Sequence, residues 1–357
     1  MKAGVFFAPN QVAYTEIDAP TPGPGELVVS VDTALTCGTD VKCYRRGHPV
    51  LLSKIPSPFG HEFSGRVAKV GEGVRRFKVG DRVVAANSAP CLNCYYCRQQ
   101  QPNLCESLDL LNGAYADFIK IPERIVSQNT YPLPEHLSFE MAAFCEPLAV
   151  SLRGVEMSGV KAGDSVAIIG LGPIGQLLVR AASLAGANVS AIGRSPDLKT
   201  SSDKLDKLAL AERFGQASQM IDIRGWDLNQ KAQQEKLVNT YTPEGRGFDV
   251  VIEAVGLPET WQQSVGLVRK GGVVNWFAGC KSGTEVTLDT RRMHYDEITV
   301  MSLFHHTPDY FKKALQLLAD GDVDPRPLIS ERLPMAEFET ALQRVEAGEA
   351  MKIALKN

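Results

Sequence analysis

The chain has 357 residues, of which 44% are hydrophobic and 22% are charged, and this composition allows two globular domains of ordinary size. A formal net charge of −3 gives no reason to expect nucleic acid or an anionic membrane as a partner. The opening residues MKAGVFFAPN lack the apolar run of a signal peptide, and no segment reaches the roughly 18 apolar residues of a membrane span, so we expect a cytoplasmic protein.

The first part of the chain, residues 1–150, reads as short strands separated by glycine and proline. Apolar and polar residues alternate in RVAKV and GDRVVAA, which is typical of strands in a mixed or antiparallel sheet. The segments predicted to be strands are GELVVSVDTAL, FSGRVAKVG, GDRVVAA and ADFIKIP. The sequence therefore predicts a β-rich first domain.

Four cysteines fall close together in this region, at Cys91, Cys94, Cys97 and Cys105. In a reducing compartment such a cluster favours metal binding over disulfide formation. Four thiolates on a turn-rich loop suit a closed tetrahedral Zn²⁺ site, and their spacing differs from that of ferredoxin clusters. We predict a structural zinc lobe over about residues 88–108, with any chemistry located elsewhere.

From residue 151 onward, apolar strands alternate with helical segments, which predicts a parallel, doubly wound sheet. The stretch GDSVAIIGLGPIGQLLVRAASLAGANVSAIGRS reads as a strand, a glycine turn, a helix and a second strand. The polar stretch SPDLKTSSDKLDKL reads as a loop that leads into a helix. Further strand candidates are GFDVVIEAVG, GGVVNWFAG and ITVMSLF, and the tail contains two amphipathic helices, DYFKKALQLLADG and MAEFETALQRVEAGE.

The glycine turn has the pattern GxGxxG between a strand and a helix, which indicates a dinucleotide site and not only a structural turn. The glycines permit the tight turn and the close approach of the pyrophosphate, which lies at the helix N-terminus. The residues expected to contact the coenzyme here are Gly170, Leu171, Gly172, Pro173, Ile174 and Gly175.

The end of the second strand bears on the choice between NAD and NADP. NAD sites usually place an acidic residue there to bind the ribose 2′-hydroxyl. This chain has Gly193, Arg194 and Ser195 instead, with no acidic residue before Asp197. An arginine and a hydroxyl bind a 2′-phosphate, so NADP is predicted, and NAD remains the less favoured alternative because Asp197 is near.

Three separated stretches, TCGTD, FGHEFSG and FCEPLAV, contain residue types that bind metal ions. They supply Cys37, His61, Glu62 and Glu146. A cysteine, a histidine and a carboxylate suit an open zinc site that keeps one position for water or substrate. Their spacing does not by itself show that they meet in space.

The order of these motifs, from CGTD, GHE and GDRV through the four-cysteine lobe and EPLA to GxGxxG, resembles the zinc-containing medium-chain dehydrogenases. Within them it most resembles the polyol (sorbitol) and threonine dehydrogenase branch, over essentially the whole chain. The resemblance implies an α/β protein with a GroES-like β-rich catalytic domain over 1–150 and a doubly wound Rossmann coenzyme domain over 151–303. It also implies that the C-terminal helices over 304–357 return to the catalytic domain.

The resemblance implies roles for individual residues as well. Zinc would be held by Cys37, His61, Glu62 and Glu146, the last either directly or through water. Thr39 would accept the proton of the substrate hydroxyl, and Asp40 would orient the ring of His61. The backbones expected to contact the nicotinamide are those of Ala254, Val255, Gly256, Phe277 and Ala278. Subunits would pair as dimers or tetramers through the strand EITVMSLF.

Two positions depart from the pattern of the branch. Threonine dehydrogenases have a histidine five residues after the metal cysteine, where this chain has Lys42, and its nearest histidine is His48. A lysine relays protons only if its pKa is depressed. In LFHHTPDYF, where polyol dehydrogenases tend to carry an Arg–Tyr pair, His305 and His306 either face the substrate or lie at a subunit interface.

The sequence therefore predicts a zinc-dependent oxidoreductase that transfers hydride between the secondary hydroxyl of a polyol, sugar or related alcohol and NADP. The alternative within the same class is an NAD-dependent threonine or amino-alcohol dehydrogenase. A zinc-free quinone reductase is disfavoured by the metal-binding residues. A non-catalytic NADPH-binding redox sensor is the alternative from another class.

Overall fold

The computed structural model describes residues 1–48, 51–52, 54–194 and 205–357. The chain forms two compact units, one made of Met1–Ala149 with His306–Asn357 and the other of Val150–His305. None of the helices in the described residues is long and apolar enough to span a membrane.

Within the described residues, the first unit holds a mixed seven-stranded sheet, a three-stranded sheet and a short two-stranded ribbon. The largest sheet runs in the order Thr130–Pro132, Arg82–Ala85, Glu62–Val70, Leu27–Leu35, Lys352–Lys356 and Ile329–Pro334, with Phe118–Ile121 also paired to Leu27–Leu35. The three-stranded sheet runs Gln11–Glu16, Lys2–Ala8 and Ser57–Pro58, and the ribbon pairs Ser88–Ala89 with Asp109–Leu110. The helices are Gly38–Arg46, Tyr95–Arg98, Glu123–Asn129, Phe139–Ala142, Cys145–Met157 (which continues into the second unit), Pro308–Ala319 and Phe338–Glu346, with short 3₁₀ turns at Pro102–Leu104, Arg326–Leu328 and Met335–Glu337.

The core of the first unit contains a cluster of four aromatic rings. The ring centroid of Phe59 lies 5.9 Å from that of Tyr115 and 6.4 Å from that of Phe338, and Phe6 stacks on Phe59 at 6.2 Å. None of the four side chains is more than 1% exposed. Burial of each contributes roughly 1.5–3 kcal/mol, so the cluster binds the N-terminal strands firmly to the helix Phe338–Glu346.

The tail differs from the sequence-based expectation, because it contributes two strands as well as helices. Ile329–Pro334 and Lys352–Lys356 pair in parallel, and Lys352–Lys356 also pairs antiparallel with Leu27–Leu35. The segment KIALK is too short to show a clear period, so its pattern did not predict a strand. The consequence is that Lys352 enters the interior of the first unit, where it is 1% exposed.

The second unit is built on a parallel sheet, which confirms the predicted α/β class. In the described residues six strands run in the order Gln219–Asp222, Asn188–Gly193, Ser165–Ile169, Phe248–Glu253, Val268–Trp276 and Thr299–Ser302. Counted along this unit, the order is 3-2-1-4-5-6, the doubly wound arrangement of dinucleotide-binding domains. Its helices are Pro173–Leu184, Lys207–Arg213, Lys231–Tyr241, Pro258–Leu267 and Thr290–Tyr295, with a 3₁₀ turn at Pro243–Gly245. Every residue of Ser165–Ile169 is buried, as expected for a central parallel strand that is covered on both faces.

The glycine turn follows Ser165–Ile169 and leads into the helix Pro173–Leu184. Gly170 has a φ of +92°, a conformation that favours glycine. A Cβ atom on Gly175 would lie 1.9 Å from the carbonyl oxygen of Gly170, so only glycine lets the helix pack this close to the turn. The strand, turn and helix therefore have the geometry that the GxGxxG pattern predicts.

Glu140 gives a prediction for the stability of the first unit. Its carboxylate accepts hydrogen bonds of 2.7 and 2.9 Å from Arg332 and lies 2.8 Å from the Nζ atom of Lys356. The bonds from Arg332, and then Lys356, lower the pKa of Glu140 from its ordinary 4.5 to about 2, against partial burial. Because the pKa is lower in the folded state, these pairs stabilise the protein above about pH 4.5, and this stabilisation is lost as the pH falls toward 2.

We expect Glu140→Gln to lower the free energy of unfolding by about 1 kcal/mol at pH 7, because both cationic partners are half exposed and solvent screens the pairs. The difference from the wild type in urea unfolding should shrink at pH 3.5. Glu349→Gln is the control, since Glu349 is 61% exposed and lies 3.6 Å from Arg344. A Glu140→Gln effect that does not change between the two pH values would contradict the assignment.

Candidate active site and coenzyme site

The four clustered cysteines bring their sulfur atoms together in the first unit. All four Sγ atoms lie within 4.8 Å of one another, with 3.9 Å between Cys91 and Cys97 and 4.0 Å between Cys94 and Cys105. Tetrahedral zinc with Zn–S bonds of about 2.3 Å needs sulfurs about 3.8 Å apart. The separations therefore fit a four-thiolate zinc site.

The backbone of this lobe favours the ionised form of Cys91 and Cys94, whereas burial raises the pKa of Cys97 to about 12. Hydrogen bonds from backbone N–H groups, chiefly that of Asn93, lower the pKa of Cys91 to about 6. The N–H of Cys94 donates to the sulfur of Cys91 at 3.3 Å, and the N–H of Cys91 donates to the sulfur of Cys105 at 3.2 Å. The segment is less irregular than its turn-rich sequence indicates, because it contains the short helix Tyr95–Arg98.

A second group forms where a helix start meets a strand start in the first unit. Cys37 caps the helix Gly38–Arg46, and His61 and Glu62 lie at the beginning of the strand Glu62–Val70. The ligand atoms of Cys37, His61 and Glu62 all lie within 4.8 Å of one another. The strand pairing places Leu35, two residues before Cys37, directly opposite Glu62, which explains how distant segments meet.

The histidine of this group is held by a hydrogen-bonded chain. Its Nδ1 lies 3.0 Å from Asp40 Oδ1, so Nε2 is the ring atom left to act as a ligand. Asp40 Oδ2 accepts a 2.6 Å hydrogen bond from the Tyr115 hydroxyl and one of 3.2 Å from the N–H of Cys37. Burial would lower the pKa of His61, but the charges of Asp40 and Cys37 and the hydrogen bonds to both together raise it well above the usual value.

Glu62 pairs with a buried lysine. The ammonium of Lys352 donates to Glu62 Oε2 and, at 2.8 Å, to the carbonyl oxygen of Thr36. Glu62 is 1% exposed, and its buried Oε1 atom has no hydrogen-bond partner in the part of the chain that the structure describes. Burial would lower the pKa of Lys352, but the charges of Glu62, Cys37 and Glu146 and the hydrogen bond to Glu62 together raise it. A buried carboxylate oxygen without a partner is what a metal ligand requires.

The thiol of Cys37 gives the same indication. Burial, and then the nearby charge of Glu62, raise the pKa of Cys37 in the protein without metal. A thiol and a carboxylate that crowd each other in a dry site are both stabilised as anions by a divalent cation. The residues present therefore fit a zinc ion.

Glu146 lies in the first turn of the helix Cys145–Met157, outside the group of three. Its Oε1 accepts a 3.1 Å hydrogen bond from the side-chain amide of Asn87, whose Oδ1 lies 3.0 Å from His306 Nε2. All three side chains are at least nine-tenths buried. Burial raises the pKa of Glu146 to about 7, and the hydrogen bond from Asn87 is among the influences that oppose this shift. Asn87 was not recognised from the sequence, because no motif marks it.

Two of the remaining residues predicted around the metal, Thr39 and Lys42, lie on the helix Gly38–Arg46. Thr39 is half-buried, and its N–H lies 3.5 Å from the sulfur of Cys37. Lys42 is exposed, and the Nδ1 atom of His48 accepts a 3.0 Å hydrogen bond from the N–H of Leu51. In the second unit, the carbonyl oxygen of His305 accepts a 3.1 Å hydrogen bond from Arg153.

The second unit has a cavity of about 530 Å³ beside the carboxyl ends of its strands. This cavity is lined by five of the residues predicted to contact the coenzyme, namely Gly170, Leu171, Gly193, Arg194 and Val255. Gly172, Pro173, Ile174 and Gly175 start the helix of the glycine turn, while Ser195 lies outside the described residues.

Lys207 also lines this cavity and was not predicted. It is the first residue of the helix Lys207–Arg213, whose N-cap is Asp206. The cap motif could have revealed the helix start, but only the fold places the lysine next to the strand end that carries Arg194. The cavity is therefore lined by two cationic side chains and also by the carboxylate of Glu259.

The loops predicted to contact the nicotinamide also lie together. The N–H groups of Phe277 and Ala278 each donate a 3.1 Å hydrogen bond to the carbonyl oxygen of Glu253. A Cβ atom on Gly256 would lie 2.8 Å from the carbonyl oxygen of Gly279, so the two loops are in close contact.

Comparisons with known proteins agree with this geometry. A family model described as alcohol dehydrogenase GroES-like domain matches residues 23–135, and one described as zinc-binding dehydrogenase matches residues 173–320. Sorbitol dehydrogenase of Bacillus subtilis (strain 168) is 30% identical over 351 residues, which cover 96% of this chain and 93% of the relative. L-threonine 3-dehydrogenase of Bacillus velezensis is 31% identical over 348 residues, which cover 95% and 94%. The structure of a candidate zinc-binding dehydrogenase from Sinorhizobium meliloti 1021 bound to NADP superposes with a TM-score of 0.88 at 30% identity, covering 100% of this chain and 99% of that one.

The chain belongs to the zinc-containing medium-chain dehydrogenases, in their polyol dehydrogenase-like branch. This confirms the fold expected from the motifs, a GroES-like domain with a Rossmann domain. It also confirms the class of activity, an NAD(P)-dependent alcohol oxidoreductase of the zinc type.

The pair formed by Lys352 and Glu62 gives a prediction for stability and metal content together. Lys352→Met leaves the carboxylate of Glu62 buried without a counter-charge, which costs about 3 kcal/mol in protein stripped of metal. A bound divalent cation supplies that charge, so the loss should be smaller in zinc-loaded protein. We therefore expect the gap in Tm between loaded and stripped protein to widen in Lys352→Met.

Lys352→Arg keeps the charge and is the matched control, in which the gap should stay closer to that of the wild type. Scanning calorimetry of both forms, with zinc content measured by atomic emission, makes the comparison. Equal destabilisation of the loaded and stripped forms by Lys352→Met would show that the metal does not compensate Glu62.

Proposed function

We propose that the protein transfers hydride between the secondary hydroxyl of a polyol, sugar or related alcohol and NADP, with zinc at Cys37, His61 and Glu62. The observation that carries this proposal is a group of one half-buried thiol, one buried imidazole and one buried carboxylate, in which an oxygen of Glu62 has no hydrogen-bond partner among the described residues. Zinc bound there supplies Lewis-acid polarisation of the substrate hydroxyl.

The side chains around this group have separate tasks in the proposed reaction. Asp40 fixes the ring of His61 so that Nε2 faces the metal, and Tyr115 fixes Asp40. Lys352 balances the charge of Glu62 and orients its second oxygen. Thr39, on the first turn of the helix that Cys37 caps, accepts the proton of the substrate hydroxyl and passes it outward.

We place Glu146 outside the direct ligand set, with water between it and the metal. Its hydrogen bond to Asn87 and its absence from the group of three ligand atoms in the described residues support this role. The four cysteines of the lobe would hold a second zinc ion that stabilises the fold.

The preference for NADP rests on Arg194 and Lys207, which line the same cavity. Two cationic side chains favour a 2′-phosphate and give no acceptor to a ribose 2′-hydroxyl. The NADP bound to the related Sinorhizobium protein agrees with this choice. An NAD-dependent threonine or amino-alcohol dehydrogenase is the alternative, and the similarity to L-threonine 3-dehydrogenase supports it. We favour the polyol because the exposed Lys42 stands where threonine dehydrogenases carry a histidine.

We also propose a cytoplasmic homodimer or homotetramer. A compartment that keeps cysteines reduced leaves the four thiols of the lobe free to bind zinc, which agrees with a cytoplasmic location. The strand Thr299–Ser302 ends the parallel sheet among the described residues, and such an edge can pair with a second copy.

The proposed activity is tested by offering polyols, aldoses, secondary alcohols and L-threonine with NADP⁺ and NAD⁺ in parallel and following the absorbance of the reduced coenzyme. We expect turnover of a polyol or sugar with NADP⁺, abolished by a chelator and restored by Zn²⁺. Oxidation of L-threonine alone would support the alternative substrate. Zinc-loaded protein that binds NADPH but turns over nothing in the panel would favour the redox sensor.

The coenzyme preference is tested by changing Arg194. Arg194→Asp places a carboxylate against the 2′-phosphate and supplies an acceptor to the 2′-hydroxyl. We expect the ratio of kcat/KM for NADP⁺ to that for NAD⁺ to fall at least 100-fold, a loss of about 2.7 kcal/mol. Lys207→Ala should lower the ratio by a smaller factor, and Lys231→Ala, an exposed lysine outside this cavity, is the control. An unchanged ratio in Arg194→Asp would contradict the NADP assignment.

A further inference from the structure

Glu253 is a buried carboxylate that the proposed chemistry does not use. It ends the strand Phe248–Glu253 and is 0% exposed. Burial raises the pKa of Glu253, while hydrogen bonds from Thr260, Gly256 and Val255 oppose this. A carboxylate without a charged partner at such a depth is costly unless its oxygens are well bonded.

The side chain of Glu253 binds the loop that follows its own strand. Its Oε1 accepts hydrogen bonds of 2.8 Å from the N–H of Val255, 2.9 Å from the N–H of Gly256 and 2.7 Å from the hydroxyl of Thr260. Oε2 accepts a further bond of 3.2 Å from the N–H of Gly256. These bonds fold residues 254–257 back over the end of the strand.

The main chain of the same residue binds the second loop. Its carbonyl oxygen receives the N–H groups of both Phe277 and Ala278, at 3.1 Å each. Glu253 therefore collects four backbone N–H groups from two loops, two through its carboxylate and two through its carbonyl.

A pair of tryptophans joins the two loops a second time. The indole N–H of Trp261 donates a 3.0 Å hydrogen bond to the carbonyl oxygen of Ala278. The rings of Trp261 and Trp276 stack with centroids 4.4 Å apart and planes 11° apart. The indole N–H of Trp276 donates in turn to the carbonyl oxygen of Trp261 at 3.1 Å.

The first loop also touches the glycine turn. A Cβ atom on Gly170 would lie 2.5 Å from Val255 Cγ2, and the N–H of Ala254 donates a 2.8 Å hydrogen bond to the carbonyl oxygen of Ile169. The position of this loop is thus set against the turn that receives the pyrophosphate.

We propose that Glu253 is a positioning residue for the coenzyme: its carboxylate fixes residues 254–257 against residues 277–279, which its main-chain carbonyl holds, in the arrangement that receives the nicotinamide half. This inference rests on the proposed function, because it assumes that the second unit binds a nicotinamide dinucleotide. Glu253 acts through the backbone of the two loops and does not itself contact the reacting atoms. What it supplies is a hydrogen-bond acceptor, and the negative charge is secondary.

Two substitutions of similar volume separate these properties. Glu253→Gln keeps an acceptor oxygen where Oε1 receives its three bonds, whereas Glu253→Leu removes both side-chain acceptors and leaves the partly buried N–H groups of Val255 and Gly256 without their carboxylate partner. The main-chain carbonyl that binds Phe277 and Ala278 is present in both variants. Calorimetric titration with NADPH, and with NADH in parallel, measures the affinity for the whole coenzyme. Titration with 2′,5′-ADP measures the affinity for the adenosine half of the coenzyme alone.

We expect Glu253→Leu to weaken NADPH binding 10- to 100-fold while the Kd for 2′,5′-ADP stays within about threefold of the wild type. Glu253→Gln should bind both within about threefold. In turnover, Glu253→Leu should raise KM for the coenzyme and leave KM for the alcohol nearly unchanged. If Glu253 had a purely structural role, Glu253→Leu would weaken the binding of NADPH and of 2′,5′-ADP to the same extent.

Unchanged NADPH binding in Glu253→Leu would overturn the inference, and so would equal weakening of NADPH and 2′,5′-ADP. A loss in Glu253→Gln as large as that in Glu253→Leu would also overturn it, since glutamine offers the same acceptor. Wild-type protein that binds neither NADPH nor NADH would instead refute the proposed function.

Trp261→Phe keeps the inference testable if Glu253→Leu does not fold. It removes the single hydrogen bond to Ala278 and retains an aromatic ring next to Trp276. We expect NADPH binding to weaken about 3- to 10-fold with 2′,5′-ADP unaffected. Unchanged NADPH binding in this variant would show that holding residues 277–279 through Ala278 does not matter to the coenzyme, which would overturn the inference for that loop.

Discussion

The ammonium group of Lys352 lies against the carboxylate of Glu62 in a part of the first unit from which water is excluded. The thiol of Cys37 and the ring of His61 share this environment, so the pKa of each of these groups depends on the charges of the others. Burial raises the pKa of Glu62 and the pairing with Lys352 opposes this shift, while one oxygen of the carboxylate has no hydrogen-bond partner among the described residues. Burying metal-binding side chains away from water costs less when a counter-charge is buried with them. Lys352, the first residue of the strand Lys352–Lys356, supplies that counter-charge.

The two predicted metal groups meet different physical demands. The sulfurs of the lobe lie partly exposed, and backbone N–H groups assist the ionisation of Cys91. In the other group, burial opposes the ionisation of Cys37, so its thiolate depends on a cation. The four-cysteine lobe is suited to a structural ion that stays bound. The group of Cys37, His61 and Glu62 is suited to an ion whose positive charge acts on bound groups. This contrast follows from the surroundings of the cysteines and not from their number.

Sequence patterns predicted the parts of the fold and site that are local. GxGxxG, the cysteine spacing and the alternation of strands each depend on residues close in the chain, and the structure contains the corresponding turn, lobe and sheets. The contributions of Lys352 and Asn87 were not predictable, because each acts through a residue that is distant in sequence. The position of Lys207 at the cavity was not predicted for a related reason, because no motif in the preceding segment marks where the chain returns to the sheet.

The division of the chain also has a consequence for its synthesis on the ribosome. The second unit, Val150–His305, is continuous, whereas the first is completed only by His306–Asn357. Glu62 and Lys352 are 290 residues apart, so a growing chain holds Glu62 without its counter-charge until nearly all of the sequence has emerged. The coenzyme-binding half can therefore mature during translation, while the half that carries Cys37 and His61 must wait for the strand Lys352–Lys356. Any ion captured earlier would meet an open, hydrated and incomplete set of ligands.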